Sequence, residues 1–365
     1  MQGHTSGTLA RSRAMDVLGI NGPFLAENAL TVRKLQPHSY PSELMQSESR
    51  PMRKAMNHEQ SAVQQQSPSK YGRVARETNA IEPSSEYVDF WNDVLVPKFI
   101  TYKHILVDGL THHSAAIFPS LPVKQGDKVL DIGCGFGDTA VRLAERVGPT
   151  GEVTGVDCCG PFLEFGRMEA AERGLENVSF MEGDALHERF EPNYDFVFSR
   201  FGTMFFENPV AGLKNMRRAL KPGGKMIQIV WRRSEDNPWL SMAKNEVLRF
   251  LPPPGEGART CGPGPFSMSN QEMVTKMMEV AGYSKITFDR VDAPVLIGKT
   301  VADAINFQLT LGPAGEVFRE AGPEAESKRS EIEAALAVAI DAQKKEADGI
   351  VMNSSSWVIS GTNLS

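Results

Sequence analysis

The chain has 365 residues and 41% hydrophobic content, enough to bury the core of one large domain with insertions or of two small ones. Its net charge of -6 and pI near 5.8, with basic residues scattered, leave no electrostatic footprint for nucleic acid or an anionic membrane surface. No apolar run approaches the roughly 18 residues of a membrane span, and four cysteines, two of them adjacent, make a poor disulfide framework, so a soluble, cytoplasmic protein is expected.

Residues 1–84 are rich in Ser, Gln, Met, Pro and Arg and carry no sustained apolar period, a composition that cannot offset the entropy of ordering; a disordered extension is expected there. Arg11 and Arg13 give the first residues a faint likeness to a transit peptide, which Asp16, Glu27 and Glu43 break. Residues 85–126 read as a helical lid in two pieces, with Tyr87, Phe90, Trp91, Val94 and Leu95 at helical spacing and a break or kink at Pro97.

Strand and helix patterns then alternate through residues 127–233. "KVLDIG", "GEVTGVD", "VSFMEGD", "YDFVFSRF" and "GGKMIQIVWR" read as strands, separated by helices of about three turns in "DTAVRLAERVG", "GPFLEFGRMEAAERG" and "PVAGLKNMRRAL". Apolar strands between helices predict an α/β fold whose parallel sheet is covered on both faces, with the ligand edge where the strands end. In residues 234–365, "NQEMVTKMMEVAG" predicts a helix ending on Gly282 and "KITFDRVDAPVLIG" another strand. A helical stretch over about 300–347 and a final strand in "SSWVISGT" follow, the last two strands forming an antiparallel pair.

The stretch "VLDIGCGFGDTA" puts Gly133, Gly135 and Gly137 between the first strand and its helix. A dinucleotide loop wants a third glycine where Asp138 stands, and a carboxylate there would repel a diphosphate. S-adenosylmethionine carries an amino acid and a sulfonium instead of a diphosphate, so an acid beside its loop is favourable. Asp131 at the end of the first strand can face the ammonium, directly or through water. Asp157 ends the second strand about twenty residues beyond Gly137, a spacing suited to ribose hydroxyls, and Asp184 ends the third, where the adenine amino group would lie. One acid at the end of each of three successive strands is more specific than any one alone.

"VLDIGCGFG", "VTGVD", "GDA", "YDFVFSRFGTMFF" and "LKPGGKMIQIVW" together resemble the successive motifs of the class I S-adenosylmethionine-dependent methyltransferases. The downstream "NPW", "LPPP" and "GPGPFSMSN" are similar to a small-molecule subgroup distantly akin to the ubiquinone and menaquinone biosynthesis enzymes. The resemblance implies a Rossmann-like, seven-stranded, mostly parallel sheet of order 3-2-1-4-5-7-6 with an antiparallel last strand. It implies S-adenosylmethionine as cofactor, with Asp131, Gly133, Cys134, Gly135 and Gly137 at the methionine part, Asp157 at the ribose, Cys158 beside it, and Asp184 and Ala185 at the adenine. Ser199, Arg200 and Phe201 would face the methyl group and a small-molecule acceptor.

Methyl transfer to carbon, nitrogen or oxygen is an in-line displacement that alignment can largely drive, so a base is needed only for a protonated acceptor. The catalytic residue is undetermined; His104, His112 and Arg200 are candidates, with His113 beside them. Arg200 and Glu207 bracket "FGTMFF" and could orient an acidic substrate or be solvated. Tyr87, Phe90, Trp91, Phe99 and Tyr102 could form an aromatic lid or simply pack. The segments at about 234–268 and 300–347 would cap the acceptor site or form a subunit contact. Two alternatives stand beside the enzyme: a non-catalytic S-adenosylmethionine-binding regulatory or assembly protein, and a methyltransferase for a thiophilic metalloid, since the fold brings Cys134, Cys158 and Cys159 to one edge. With no paired C-x-x-C, no metal site is expected.

Overall fold

The computed structural model describes residues 85–365, so the expectation of disorder for 1–84 lies outside the described residues. The described residues open with a helical stretch capped by Ser85, whose hydroxyl accepts from the Val88 N–H. Helix α1 (Glu86–Phe90) runs into one π-helical turn at Trp91–Leu95, then α2 (Val96–Thr101) and α3 (Lys103–Ile117). The expected break at Pro97 does not occur. The Val96 N–H reaches back to the Trp91 carbonyl in the wider π turn, and Pro97, which has no N–H to place, falls in the first turn of α2. The discontinuity lies instead at Tyr102, which leaves helical geometry at φ -105 and ψ 20.

The alternating region follows as β1 (Lys128–Ile132), α4 (Asp138–Val147), β2 (Glu152–Asp157), α5 (Gly160–Glu172), β3 (Val178–Glu182), β4 (Tyr194–Arg200), α6 (Pro209–Ala219) and β5 (Leu220–Trp231). Four residues of β1 are buried, because helices cover both faces of this central strand. At the sheet edge β3 is half-buried at best, so full coverage does not extend to the margin. Helix α6 starts where Asn208 accepts from the Ala211 N–H, with Pro209 at a first-turn position that needs no N–H.

Beyond the core come α7 (Pro238–Val247), α8 (Gln271–Ala281), β6 (Ser284–Gly298), α9 (Val301–Thr310), α10 (Gly312–Ala321), α11 (Pro323–Ser327), α12 (Arg329–Asp341), β7 (Lys344–Glu346) and β8 (Gly349–Thr362). As the sequence predicts, α8 ends on Gly282, at φ +93. The sheet order is β3-β2-β1-β4-β5-β8-β6, with the short β7 paired to β8. Strand β8 slots between β5 and β6, antiparallel to both. This is the order that the resemblance implies, with one short extra strand before the last.

One glycine of the loop after β1 closes the packing. Gly137 caps α4 at φ +82, where an added Cβ would lie 2.7 Å from the Gly166 Cα of α5 and 2.7 Å from the Phe180 ring. Gly174 also has a positive φ, +66, but nothing lies within 4 Å of its Cβ position. Gly137→Ala is therefore expected to cost about 2 kcal/mol or more and Gly174→Ala about 1 kcal/mol. Urea unfolding of the two variants checks this, and equal losses would contradict the close packing.

Candidate functional site

Parallel pairing puts Ile132 opposite Val156, so the loops after β1 and β2 emerge side by side. The Val156 carbonyl accepts from both Gly133 N–H (2.8 Å) and Cys134 N–H (3.1 Å), turning the glycine loop over the end of β2. Asp157 locks the arrangement: one carboxylate oxygen accepts from the Gly135 N–H at 2.8 Å, the other from the Cys159 N–H at 3.0 Å. Burial raises the Asp157 pKa and these backbone donors oppose the shift. Gly135 has φ +54 with nothing within 4 Å of its Cβ position, so its backbone is open to close approach by a ligand.

These loops border a cavity of about 310 Å³. Gly133, Cys134, Gly135, Asp138, Asp157, Cys158, Asp184, Ala185, Arg200 and Phe201 line it. Asp131 and Ser199 do not line it; each is fully buried, and each has one side-chain oxygen without a hydrogen-bond partner. Thr139 donates to Asp131 Oδ2 at 2.6 Å, leaving Oδ1 as the orphan. Burial pushes the Asp131 pKa up to about 7, against the Thr139 hydroxyl and the Arg200 charge. Asp184 Oδ1 accepts from the Leu186 N–H at 2.9 Å and fixes the turn after β3. The Ala185 carbonyl faces inward, accepting from Asn215 Nδ2 at 2.7 Å.

The histidine expectations do not hold. His104 and His112 are exposed on α3 and do not line the cavity. His113 is fully buried, with Nδ1 at 2.8 Å from Ser356 Oγ and Nε2 at 2.7 Å from Ser354 Oγ. Burial first, then the neighbouring His112 and Arg200, lower its pKa to about 4, so it is a neutral packing group. Arg200 is neither solvated nor free for a substrate: its Nη2 lies 2.7 Å from Asp138 Oδ1, and Nη1 approaches Thr111 and Ser114 of α3 at 3.4 Å each. Glu207, the other bracket of that loop, is exposed at the cavity wall.

The thiols do not form the three-cysteine cluster either. Among the described residues, donor atoms of Asp157, Cys158 and Cys159 fall within 4.8 Å of one another, without Cys134. Cys134 Sγ packs toward Gly155 of β2 instead. The Cys159 thiol is pushed up by its contact with Cys158 and by burial, and burial raises that of Cys134 as well, so both favour the thiol over the metal-binding thiolate.

Of the five aromatics at helical spacing, Tyr87, Phe90, Trp91 and Phe99 line the cavity, while Tyr102 packs on Phe307 with ring centroids 5.4 Å apart. Trp91 donates from Nε1 to the Cys261 carbonyl at 3.1 Å and meets Phe205 edge-on at 5.2 Å. Asn92 donates to the Cys158 carbonyl at 3.1 Å, tying the helices before β1 to the loop after β2. Trp239, Leu240, Phe307, Leu311 and Glu316 bring the two later segments into the same wall. Phe201 holds a left-handed φ of +57 and stacks on Trp231 at 3.9 Å. Such a conformation in a bulky residue costs on the order of 1–3 kcal/mol and clusters at functional sites. Thr139, Asn92 and the pairing of Asp138 were missed by sequence reasoning; only tertiary contacts reveal them.

Asp157 and Asp184 have no Lys or Arg within ion-pair distance among the described residues, and Arg200, which lines the same cavity, is held by Asp138. This negative lining repels a diphosphate and suits an ammonium, a sulfonium and two ribose hydroxyls.

A family model described as a methyltransferase domain matches residues 123–282. A demethylmenaquinone methyltransferase of Staphylococcus aureus is 41% identical over 112 residues, covering 30% of this chain and 46% of that protein. The chain thus spans less than half the length of the curated relatives it matches. Among solved structures, the YcgJ protein from Bacillus subtilis is similar at 18% identity and a TM-score of 0.44, over 70% of this chain and 99% of that one. Phosphoethanolamine N-methyltransferase 2 from Haemonchus contortus, in complex with S-adenosyl-L-methionine, is similar at 17% identity and a TM-score of 0.47, over 76% of this chain and 60% of that one.

Two outcomes are expected. Arg200→Met leaves the Asp138 carboxylate buried without its partner and should cost about 3–5 kcal/mol, most of it recovered in the double variant with Asp138→Leu; chemical denaturation of both variants checks this. Asp131 retains a proton that the unfolded chain gives up between pH 3.8 and about 7, so it favours the native state progressively as pH falls through that window. The stability deficit of Asp131→Asn relative to the parent should therefore grow on acidification, by up to roughly 4 kcal/mol. A gap independent of pH would contradict the raised carboxyl.

Proposed function

We propose that this chain, whose residues 123–282 form a methyltransferase domain of the class I, S-adenosylmethionine-dependent type, transfers a methyl group to a small organic acceptor held in its aromatic-walled cavity. The observation that carries this reading is Asp157, whose carboxylate braces the open Gly135 backbone while its remaining lone pairs border the cavity. S-adenosylmethionine, when bound, supplies a methyl group on a sulfonium whose leaving group is a neutral thioether.

The residues here bind, orient and exclude water. Gly133 and Gly135 allow close approach to the amino acid end, and the Asp131 carboxylate, buried at the end of β1 before this loop, favours the ammonium through its charge. Asp157 accepts from the ribose hydroxyls, and Asp184 with Ala185 borders the adenine. Phe201, Trp91, Phe205 and Phe307 form the dry wall where an acceptor can be aligned in line with the methyl group. With every candidate histidine outside the cavity, this reading fits an acceptor that is nucleophilic without a histidine base.

Transfer of a labelled methyl group from S-adenosylmethionine into a metabolite extract tests the reading. A labelled product with the parent, and a loss of at least tenfold with Asp157→Ala, is expected; tight donor binding with no labelled product would favour the non-catalytic binder instead. Binding should also release a proton from Asp131 at pH 6.5, because an ammonium favours the ionised carboxylate. Calorimetry in buffers of different ionisation enthalpy should detect the release in the parent and lose it in Asp131→Asn.

A further inference from the structure

The acceptor side of the cavity holds a cation that the protein does not neutralise. Lys98, on α2, lines the cavity half-buried, and among the described residues no carboxylate lies within ion-pair distance of its ammonium. Its charged neighbour is another cation: burial first, and then the Arg319 guanidinium, lower its pKa. Arg319, on α10, is fixed in place, donating to Glu320 and to the Arg259 carbonyl and lying over the Phe90 ring at 4.9 Å. Glu316, one turn before it, also lines the cavity, but burial raises its pKa and its attractions run to Arg319 and Lys244 rather than to Lys98. Apolar side chains of the same cavity include Trp91, Phe99, Leu240, Phe307 and Leu311, with Gln308 and Thr310 as polar neighbours on α9.

Arg319 already has Glu320 as its ion-pair partner, whereas Lys98 has no carboxylate in reach among the described residues and would gain from an anion placed beside it. Resting on the methyltransferase reading, we propose that Lys98, flanked by Arg319, is the anchor for the carboxylate of an apolar carboxylic acid, so that the acceptor is an apolar acid whose hydrophobic body lies along the aromatic wall. Lys98 is a positioning and specificity residue: it holds the end of the acceptor away from the methyl donor and takes no part in bond making.

The test uses the full chain saturated with S-adenosylhomocysteine and three probe acids, cinnamate, 2-naphthoate and decanoate, each beside its primary amide. The fluorescence of the cavity-lining Trp91 and Trp239 reports binding. At least one acid is expected to bind about tenfold more tightly than its amide. Lys98→Met should reduce that preference to within about twofold and Lys98→Arg should preserve it, with S-adenosylhomocysteine affinity unchanged in both. Equal affinity of acid and amide, an acid preference that survives Lys98→Met, or no binding of any acid by a chain that binds S-adenosylhomocysteine would overturn the anion site alone. Acids bound by a chain that does not bind S-adenosylhomocysteine would remove the methyltransferase reading and leave the anion site standing.

Discussion

The buried ion pair between Arg200 and Asp138 is the joint about which the site is built. Arg200 ends β4 and Asp138 begins α4, so one contact of 2.7 Å fastens the fourth strand to the helix that follows the glycine loop. The same guanidinium reaches Thr111 and Ser114 of α3, which brings in the N-terminal helices. Asp138 also lies in the first turn of α4, where the helix dipole favours a negative charge. Both side chains are almost wholly withdrawn from water, at 8% and 12% exposure, so neither could remain there without the other.

From that joint the charge of the cavity follows. Asp138 pairs with Arg200, and no Lys or Arg among the described residues stands within ion-pair distance of Asp157 or Asp184. The glycine-loop side of the cavity therefore disfavours phosphates, whereas Lys98, which also lines it, has no carboxylate within ion-pair distance among the described residues. One cavity thus offers carboxylates without a cation and a cation without a carboxylate among the described residues, a pairing suited to a cationic donor and to the anionic acceptor proposed above. The strained Phe201, stacked on Trp231, lies among its walls, where a fixed ring helps to keep the space dry.

Much of the fold and of the glycine-loop side of the cavity was legible in the sequence, because the signals there are local. Glycines with positive φ, acids at strand ends and the Gly282 cap all act over a few residues. The acceptor side was less legible, because its residues are defined by partners far along the chain. His104, His112 and His113 stand within ten residues on α3, yet only the way that helix packs on β8 decides that His113 turns inward to Ser354 and Ser356. Arg200 reads as a loose charge until Asp138 is found 62 positions earlier. Lys98 in a helix looks like an ordinary solvated side chain until α10 brings Arg319 beside it. Pro97 reads as a break because a π turn, which accommodates it, has no sequence signature.

The most direct measurement is a crystal structure of the full chain with S-adenosylhomocysteine. The account predicts the ribose hydroxyls at hydrogen-bond distance, about 2.6–3.0 Å, from the Asp157 carboxylate. The adenine should lie against Asp184 and Ala185, and the sulfur should point toward the wall formed by Phe201 and Phe205. A ligand bound elsewhere, or a cavity that stays empty at saturating concentration with Asp157 still bonded to Gly135 and Cys159, would contradict it.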